Sequence, residues 1–504
     1  MTPKELDQSY NEKKVFFHQY INSIKKNALW DIYTIINATL IKNPFTSTFP
    51  KSFFSNDAIK KSKIVLFLKN TTLFYIRNFY LFISYFIAFA LYKFYYKKQR
   101  KNSLKTIIDI FGLVDKINKE NTFNETYFNE IYTIFYQLDK EYCILLRPYE
   151  VGKNPFKLIK FFKIISRDAR DFIFEYEFLT FNNFITLFGL IFIYPFKTLR
   201  LLRQEQSATD SLFNQALLND IKLFGFDAFT RYLFGKNLAK IKTIRTIFSW
   251  SEFQVIERSF NFGIRQNNTH IKIIGCQFFI NYETYFNAYI DDLDYEMLSS
   301  PHKVLVNGKY YVLERQKVIY STGVSLRYKN IFNFSGIQQE KNILLLGSYI
   351  EEDTHYLLQS VKPFENVVFK NHPAVDINHF GVLPNNITLS DDTIYTLFKN
   401  AKLVISTASG TAVEAIACGI SIIIIASQNN LTANPLVEYG KGEMWDIAFS
   451  KDDVTELYNK LTLFRKTNIS RINEIALWYR DNFFIEPTEK NIMCAFDLDK
   501  EDLL

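Results

Sequence analysis

A histidine followed by proline, His372-Pro373, closes a run that reads as a strand, VVFK. Further on, KLVIS opens into Thr407-Ala408-Ser409-Gly410-Thr411, and a short helix, TAVEAIACG, begins at once. These residue types suit one kind of chemistry, the grip on a phosphate. Hydroxyl residues at a helix start offer side-chain hydroxyls, unpaired backbone N–H groups and the positive end of the helix dipole. They serve equally as an ordinary helix cap. An imidazole at a neighbouring strand end can donate to a phosphate oxygen or a leaving group. Pro373 biases His372 toward extended backbone and keeps the ring at the strand rim. Alone, His372 fits a structural role as well; beside a second anion-friendly strand end it becomes half of a phosphate clamp. Lys370, and Ser348 at the end of NILLLGS, join the same candidate set. Glu414, three residues after Thr411, is either its capping-box partner or an acceptor for a ribose hydroxyl.

Ligands of open parallel sheets bind beyond the carboxyl ends of the strands, so the elements decide where these residues meet. From 342 onward, apolar runs alternate with helical patterns: NILLLGS, EDTHYLLQSV, NVVFKNHP, KLVISTASG, TAVEAIACG and ISIIIIAS. LSDDTIYTLFKNA reads as a helix opened by Ser390. That is a doubly wound α/β domain. The first half repeats the alternation. LKTIIDIFGLV, EYCILLRPY, IRTIFSW and THIKIIGCQF read as strands; NETYFNEIYTIFYQLDK, PFKLIKFFKII and SEFQVIERSFNFGI read as helices. KIVLFLKN (63–70) also reads as a strand, KKVFFHQYI as a strand or a helix start, and ALWDIYTIINATLIKNPF as helical. KVLVNGKYYVLE suggests a strand and a tight turn at Asn307-Gly308. The polar stretch FNFSGIQQEKN suggests a linker, with one domain over 1–335 and the other over 336–504.

A chain of 504 residues exceeds one ordinary core, and 48% hydrophobic content suffices for two. The formal net charge of +8 suits an anionic substrate or an anionic membrane surface. No nucleic-acid-binding signature accompanies it. Four widely spaced cysteines match neither a metal site nor a disulfide framework. The opening MTPKELDQSYNEKK lacks an apolar signal core, so the expected location is cytoplasmic, at the inner face of the cell membrane. Two apolar stretches with basic ends, about 71–100 and 178–203, support peripheral membrane contact; buried core helices and true spans are the alternatives.

KNHP followed by STASGTAVEA resembles the HP and SS-type motifs of bacterial GT-B glycosyltransferases, the group of sialyltransferases, Kdo transferases and CDP-glycerol glycerophosphotransferases. Ser-Gly-Thr stands here in place of paired serines. LWDIYTIINATLIKNPF, WSEFQVIERSF, IKIIGCQF, KVLVNGKYY and SLRYKN, in that order, are similar to surface-carbohydrate proteins of O-antigen and capsule clusters. The resemblance implies α/β GT-B architecture, two Rossmann-like domains around a cleft, with apolar helical insertions in the first. It implies transfer of a sugar, such as Kdo or sialic acid, from a nucleotide-sugar to a glycan or lipid-linked acceptor. The donor would be CMP- or CDP-linked, with no other cofactor, no metal and no nucleic-acid partner. His372, Pro373, Ser409, Gly410 and Thr411 would hold the donor phosphate and Glu414 the ribose. Polyol-phosphate transfer from CDP-glycerol, a UDP-sugar epimerase and a non-catalytic assembly protein are the competing readings.

An inverting transferase needs a base for the acceptor hydroxyl, and it should come from the first domain. Glu252, after IRTIFSW at a helix start, is the first candidate and Asp109 in LKTIIDIF the second. The DxD within DDLD (291–294) reads as a solvated acidic loop. Gln277 and Arg327 are further candidates for the cleft.

Overall fold

The computed structural model describes residues 1–26, 47–56, 62–96, 98–99, 103–149, 154–223, 226–334 and 340–498. The expected helix within 28–45 lies outside them, as do residues 335–339 of the expected linker.

The chain is α/β with GT-B architecture, two Rossmann-like domains around a cleft. The first sheet contains β1 (Thr106–Leu113), β2 (Cys143–Tyr149), β3 (Phe172–Ile173), β4 (Thr246–Trp250), β5 (Lys272–Gln277), β6 (Lys303–Val306) and β7 (Ile319–Thr322). Its order is β3-β2-β1-β4-β5-β6-β7. The second contains β8 (Asn342–Leu346), β9 (Val367–Lys370), β10 (Ile387–Leu389), β11 (Ala401–Ser406), β12 (Ile422–Ile425) and β13 (Trp445–Ala448), ordered β10-β9-β8-β11-β12-β13. Every strand pairing in both sheets is parallel. Helices cover both faces, which is why strands such as Ile422–Ile425 read as unbroken apolar runs. The strand order reverses between β1 and β4 and again between β8 and β11. Crevices open at these switch points.

Several elements differ from expectation. Residues 63–70 begin a helix, Lys63–Tyr95, and form no strand. Its buried positions include Leu66, Asn70, Phe74, Asn78, Tyr85, Ala88 and Tyr92, spaced three, four and seven apart along one face, with Thr71 and Ser84 buried beside them. Local β-branched content in KIVLFLKN masked that period. Of the two readings of KKVFFHQYI the helical one holds, since the segment lies inside the helix Pro3–Lys26. Asn307-Gly308 does not turn a hairpin; a short 3-10 turn follows, and β7 returns parallel to β6. Gly308 instead permits close packing, since a Cβ there would lie 2.3 Å from the Phe483 carbonyl carbon. Ser390 does not open the next helix. Thr393 caps it, its hydroxyl accepting from the Thr396 N–H. The short strands β3, β7, β10 and β13 were not anticipated.

The chain also crosses between the two halves. Phe496, after the helix Glu489–Ala495, packs on Phe248 and Phe278 of the first half. At the other end, Asp7 accepts from the Thr432 N–H of the second half at 2.9 Å. The expected apolar insertions are the helices Lys63–Tyr95 and Phe181–Leu199, which pack together on the first half.

Candidate active site

The carboxyl ends of both sheets face one cavity of about 680 Å³. From the second sheet come Gly347, Tyr349, Lys370, Asn371, His372, Pro373, Ser409, Gly410, Thr411 and Glu414; from the first come Trp250, Glu252, Tyr285, Asn287 and Arg327. His372 and the Ser-Gly-Thr turn therefore share one space.

His372 is held at the end of β9. Its Nδ1 accepts from the Ala374 N–H at 3.2 Å, and its ring meets Tyr349 edge-on at 6.0 Å. An accepting Nδ1 leaves the proton of the neutral ring on Nε2, where it can be donated. Burial lowers the pKa of His372, which favours that neutral form. Gly347 makes room: a Cβ there would come within 3.2 Å of the His372 backbone nitrogen. Lys370 lines the cavity while its Nζ donates to the Asp392 carbonyl at 2.7 Å.

Gly410 occupies the cap position of the helix Thr411–Ala417, with no side-chain cap, and Thr411 is the first helical residue. The capping-box reading of Glu414 therefore fails, because its N-cap partner would have to be Thr411. Glu414 instead accepts from the Tyr395 hydroxyl at 2.6 Å. Burial raises its pKa, against the pull of Tyr395, Arg327 and Thr411. Gly410 also sets the approach of the two domains. A Cβ there would lie 3.0 Å from Cβ of Ile280 on the opposite side.

Across the cleft, Glu252 follows β4 and precedes the helix Val255–Arg265 by two residues, so it is not a helix-start acid. That role belongs to Glu257, whose carboxylate accepts from the Gln254 N–H at 2.9 Å. Glu252 accepts from Gln254 Nε2 at 2.8 Å and from Trp250 Nε1 at 3.4 Å. The next residue, Phe253, has φ +54°, a left-handed backbone that a buried aromatic residue adopts only when its surroundings impose it. They do: a Cβ on Gly275 would lie 3.1 Å from the Phe253 ring, and Arg258 Nε donates to the Phe253 carbonyl at 2.8 Å. Arg258 Nη2 also donates to the Asn287 carbonyl, and Asn287 Nδ2 donates to the Glu252 carbonyl. The turn carrying Glu252 is thus fixed from both sides.

One contact over the cavity joins the halves, and a second, within the first half, holds an arginine at its edge. Tyr285 and Tyr349 share a hydroxyl hydrogen bond of 2.6 Å. Arg327 stands over the Tyr127 ring at 5.4 Å. Burial opposes its charge, and Tyr328, Tyr127, Glu414 and Glu252 outweigh that and raise its pKa. An arginine within the fields of both Glu414 and Glu252 suits an anion bound between them.

Three candidates do not reach the cavity. Asp109 is buried within β1, where it accepts from Arg231 Nη2 at 2.6 Å and from Ser249 Oγ at 2.8 Å. Gln277 is buried, its Nε2 donating to the Ala288 carbonyl at 2.9 Å. Ser348 is buried, its Oγ accepting from the Ile350 N–H at 3.0 Å and capping the turn after β8. The DDLD segment is not a solvated loop. Asp294 is buried at the start of a short helix, paired with Arg258 at 2.7 Å and Lys25 at 2.9 Å. Burial raises its pKa, and the two cations reverse that and hold it well below the usual carboxylate range.

Sequence reasoning missed Trp250, Tyr285, Asn287, Tyr349 and Tyr395. Tyr285 and Asn287 lie in the irregular chain after β5, and the strand-end rule applied to the first sheet would have reached them.

No family model and no curated protein matches the sequence. Among solved structures, it is similar to a UDP-GlcNAc 2-epimerase from Neisseria meningitidis bound to UDP-GlcNAc, at 10% identity over 78% of this chain and 100% of that one, TM-score 0.41. It is similar to MurG of Acinetobacter baumannii at 12% identity, over 78% and 99%, TM-score 0.40. It is also similar to the wall teichoic acid polymerase TagF at 9% identity, over 88% and 99%, TM-score 0.38. At these scores the likenesses carry no argument, and the architecture rests on the two sheets.

Proposed function

We propose that the protein transfers a group from a nucleotide-activated donor to an acceptor hydroxyl. The transferred group is a sugar, with a nonulosonic acid such as Kdo or sialic acid the favoured class, and the acceptor is a surface or lipid-linked glycan. The supporting observation is the shared cavity: His372 and Ser409-Gly410-Thr411 on one wall, Glu252 on the other. His372 Nε2–H and the Ser409–Thr411 turn would hold the donor phosphates, and Arg327 would offset charge as the leaving group departs. Glu414 would accept from the ribose. Glu252 would take the acceptor's proton as the new bond forms.

A panel of CMP, CDP, UDP and GDP, read by thermal unfolding, tests the donor side. Saturating nucleotide at about 100 Kd stabilises by about 2.7 kcal/mol. Cytidine nucleotides are expected to stabilise most, and no response to any nucleotide overturns the reading. Glu252→Gln is then expected to keep nucleotide binding and to lose about 10²–10⁴-fold in transfer rate. A nucleotide-sugar isomerised without any acceptor would mark an epimerase instead.

A further inference from the structure

The helices Lys63–Tyr95 and Phe181–Leu199 lie against each other on the first domain. Tyr75 Oη donates to the Phe192 carbonyl at 2.8 Å, and Phe79 meets Phe188 at 5.5 Å and Phe67 meets Phe196 at 6.1 Å. Each keeps one face in the core, through Phe74, Tyr85 and Tyr92 on the first and Leu187, Ile191 and Tyr194 on the second. The outer faces carry large apolar side chains open to solvent. Ile64, Leu68, Ile76 and Ile83 are 59–71% exposed, and Ile185 and Phe192 are 61% and 56% exposed. A contiguous apolar surface on this scale marks an interaction site.

The charges on this surface identify what covers it. None of the chain's 52 acidic residues falls on either helix, whereas Lys63, Lys69, Arg77, Lys93 and Lys197 do. A protein partner would gain specificity from charges of both signs. Lys63 is paired with Glu205, which follows the second helix, but the other four cations leave a predominantly positive field around an aromatic, aliphatic face, which complements an anionic lipid surface. We infer that these two helices form an in-plane membrane anchor, seated in the headgroup boundary of a bilayer containing anionic lipid. Spanning is opposed by the inner polar groups. Asn70 Nδ2 donates to the Leu218 carbonyl at 3.1 Å, which ties the helix to the folded domain. At 1.5 Å per residue the longer helix extends about 50 Å, and its length lies along the domain surface. The inference stands apart from the proposed transferase activity, since no residue of either helix lines the cavity.

Sedimentation of the full chain with vesicles tests this, using phosphatidylcholine alone and phosphatidylcholine with about 30% phosphatidylglycerol. The protein is expected to bind both, more tightly to the anionic vesicles and less at high salt. The combined variant Leu68→Gln, Ile76→Gln, Ile83→Gln and Ile185→Gln is expected to lower binding about a hundredfold with unchanged thermal unfolding. Lys69→Glu with Lys93→Glu, which keeps the apolar face, is expected to lose about tenfold on anionic vesicles only. Phe188→Trp is expected to gain fluorescence that bromines near the headgroups quench best. Protein left in the supernatant overturns the inference, as does unchanged binding of the glutamine variant. A lipid-free dimer that the glutamine variant dissociates, with vesicle binding intact, would assign the face to a second copy. Strongest quenching by bromines at the bilayer centre would assign a span.

Discussion

Asp294→Asn probes how the turn bearing Glu252 is held. Asp294, Arg258 and Lys25 are 2%, 1% and 4% exposed, and the carboxylate bonds both cations. Asp291 remains 3.4 Å from Lys25, so Arg258 is the charge left uncompensated. Breaking a buried pair by removing one partner costs about 3–5 kcal/mol. Asparagine retains one acceptor oxygen, so about 3 kcal/mol is expected, and about 5 kcal/mol for Asp294→Ala. The folded pKa of Asp294 is depressed, so its contribution is present above the usual carboxylate pKa and lost as pH falls through the depressed value. The cost of the substitution should therefore shrink in strong acid. The same arginine fixes the carbonyls of Phe253 and Asn287 on either side of Glu252. Misplacing a reacting group by about 1 Å costs about 10²-fold. Urea unfolding followed by tryptophan fluorescence should show the stability loss, and steady-state kinetics should show kcat reduced about a hundredfold. Nucleotide affinity should hold, because His372 and Ser409 belong to the other sheet. Unchanged stability together with an activity whose dependence on a divalent cation is lost in the variant would refute this account and assign the DxD to a metal site.

His372→Ala removes a donor to a charged phosphate, a bond of about 1.5–3 kcal/mol, and should weaken nucleotide binding about 10- to 150-fold by calorimetry; an unchanged Kd would count against the clamp. Glu175→Gln concerns stability alone. Burial pushes the Glu175 pKa up to about 7, against Arg231 and Arg147. A raised folded pKa means that the neutral form's stability is complete below the unfolded value of 4.5 and lost as pH rises through about 7. The wild type should lose at most about 3 kcal/mol across that window, and the variant should not. Urea midpoints at about pH 5 and about pH 9 decide it, and parallel behaviour of the two proteins would refute it.

Much of the fold is legible in the chain. Apolar runs such as NILLLGS and ISIIIIAS announce buried parallel strands, because helices on both faces leave no solvent side to encode. The shortest strands escaped notice; β3 has two residues, too few for any periodicity. His372-Pro373 and Ser409-Gly410-Thr411 were identifiable because strand-end chemistry is local. Facing direction is not local. Asp109 and Glu252 are both acids near strands of the first sheet, and the sequence ranks them only weakly. Arg231, 122 residues away, keeps Asp109 in the core. Arg258, anchored by Asp294 36 residues on, fixes the left-handed turn that presents Glu252 at the cleft. The sequence alone determined which strand ends carry anion-binding groups. The tertiary structure decided which carboxylates meet them, because burial and pairing depend on partners brought from distant parts of the chain.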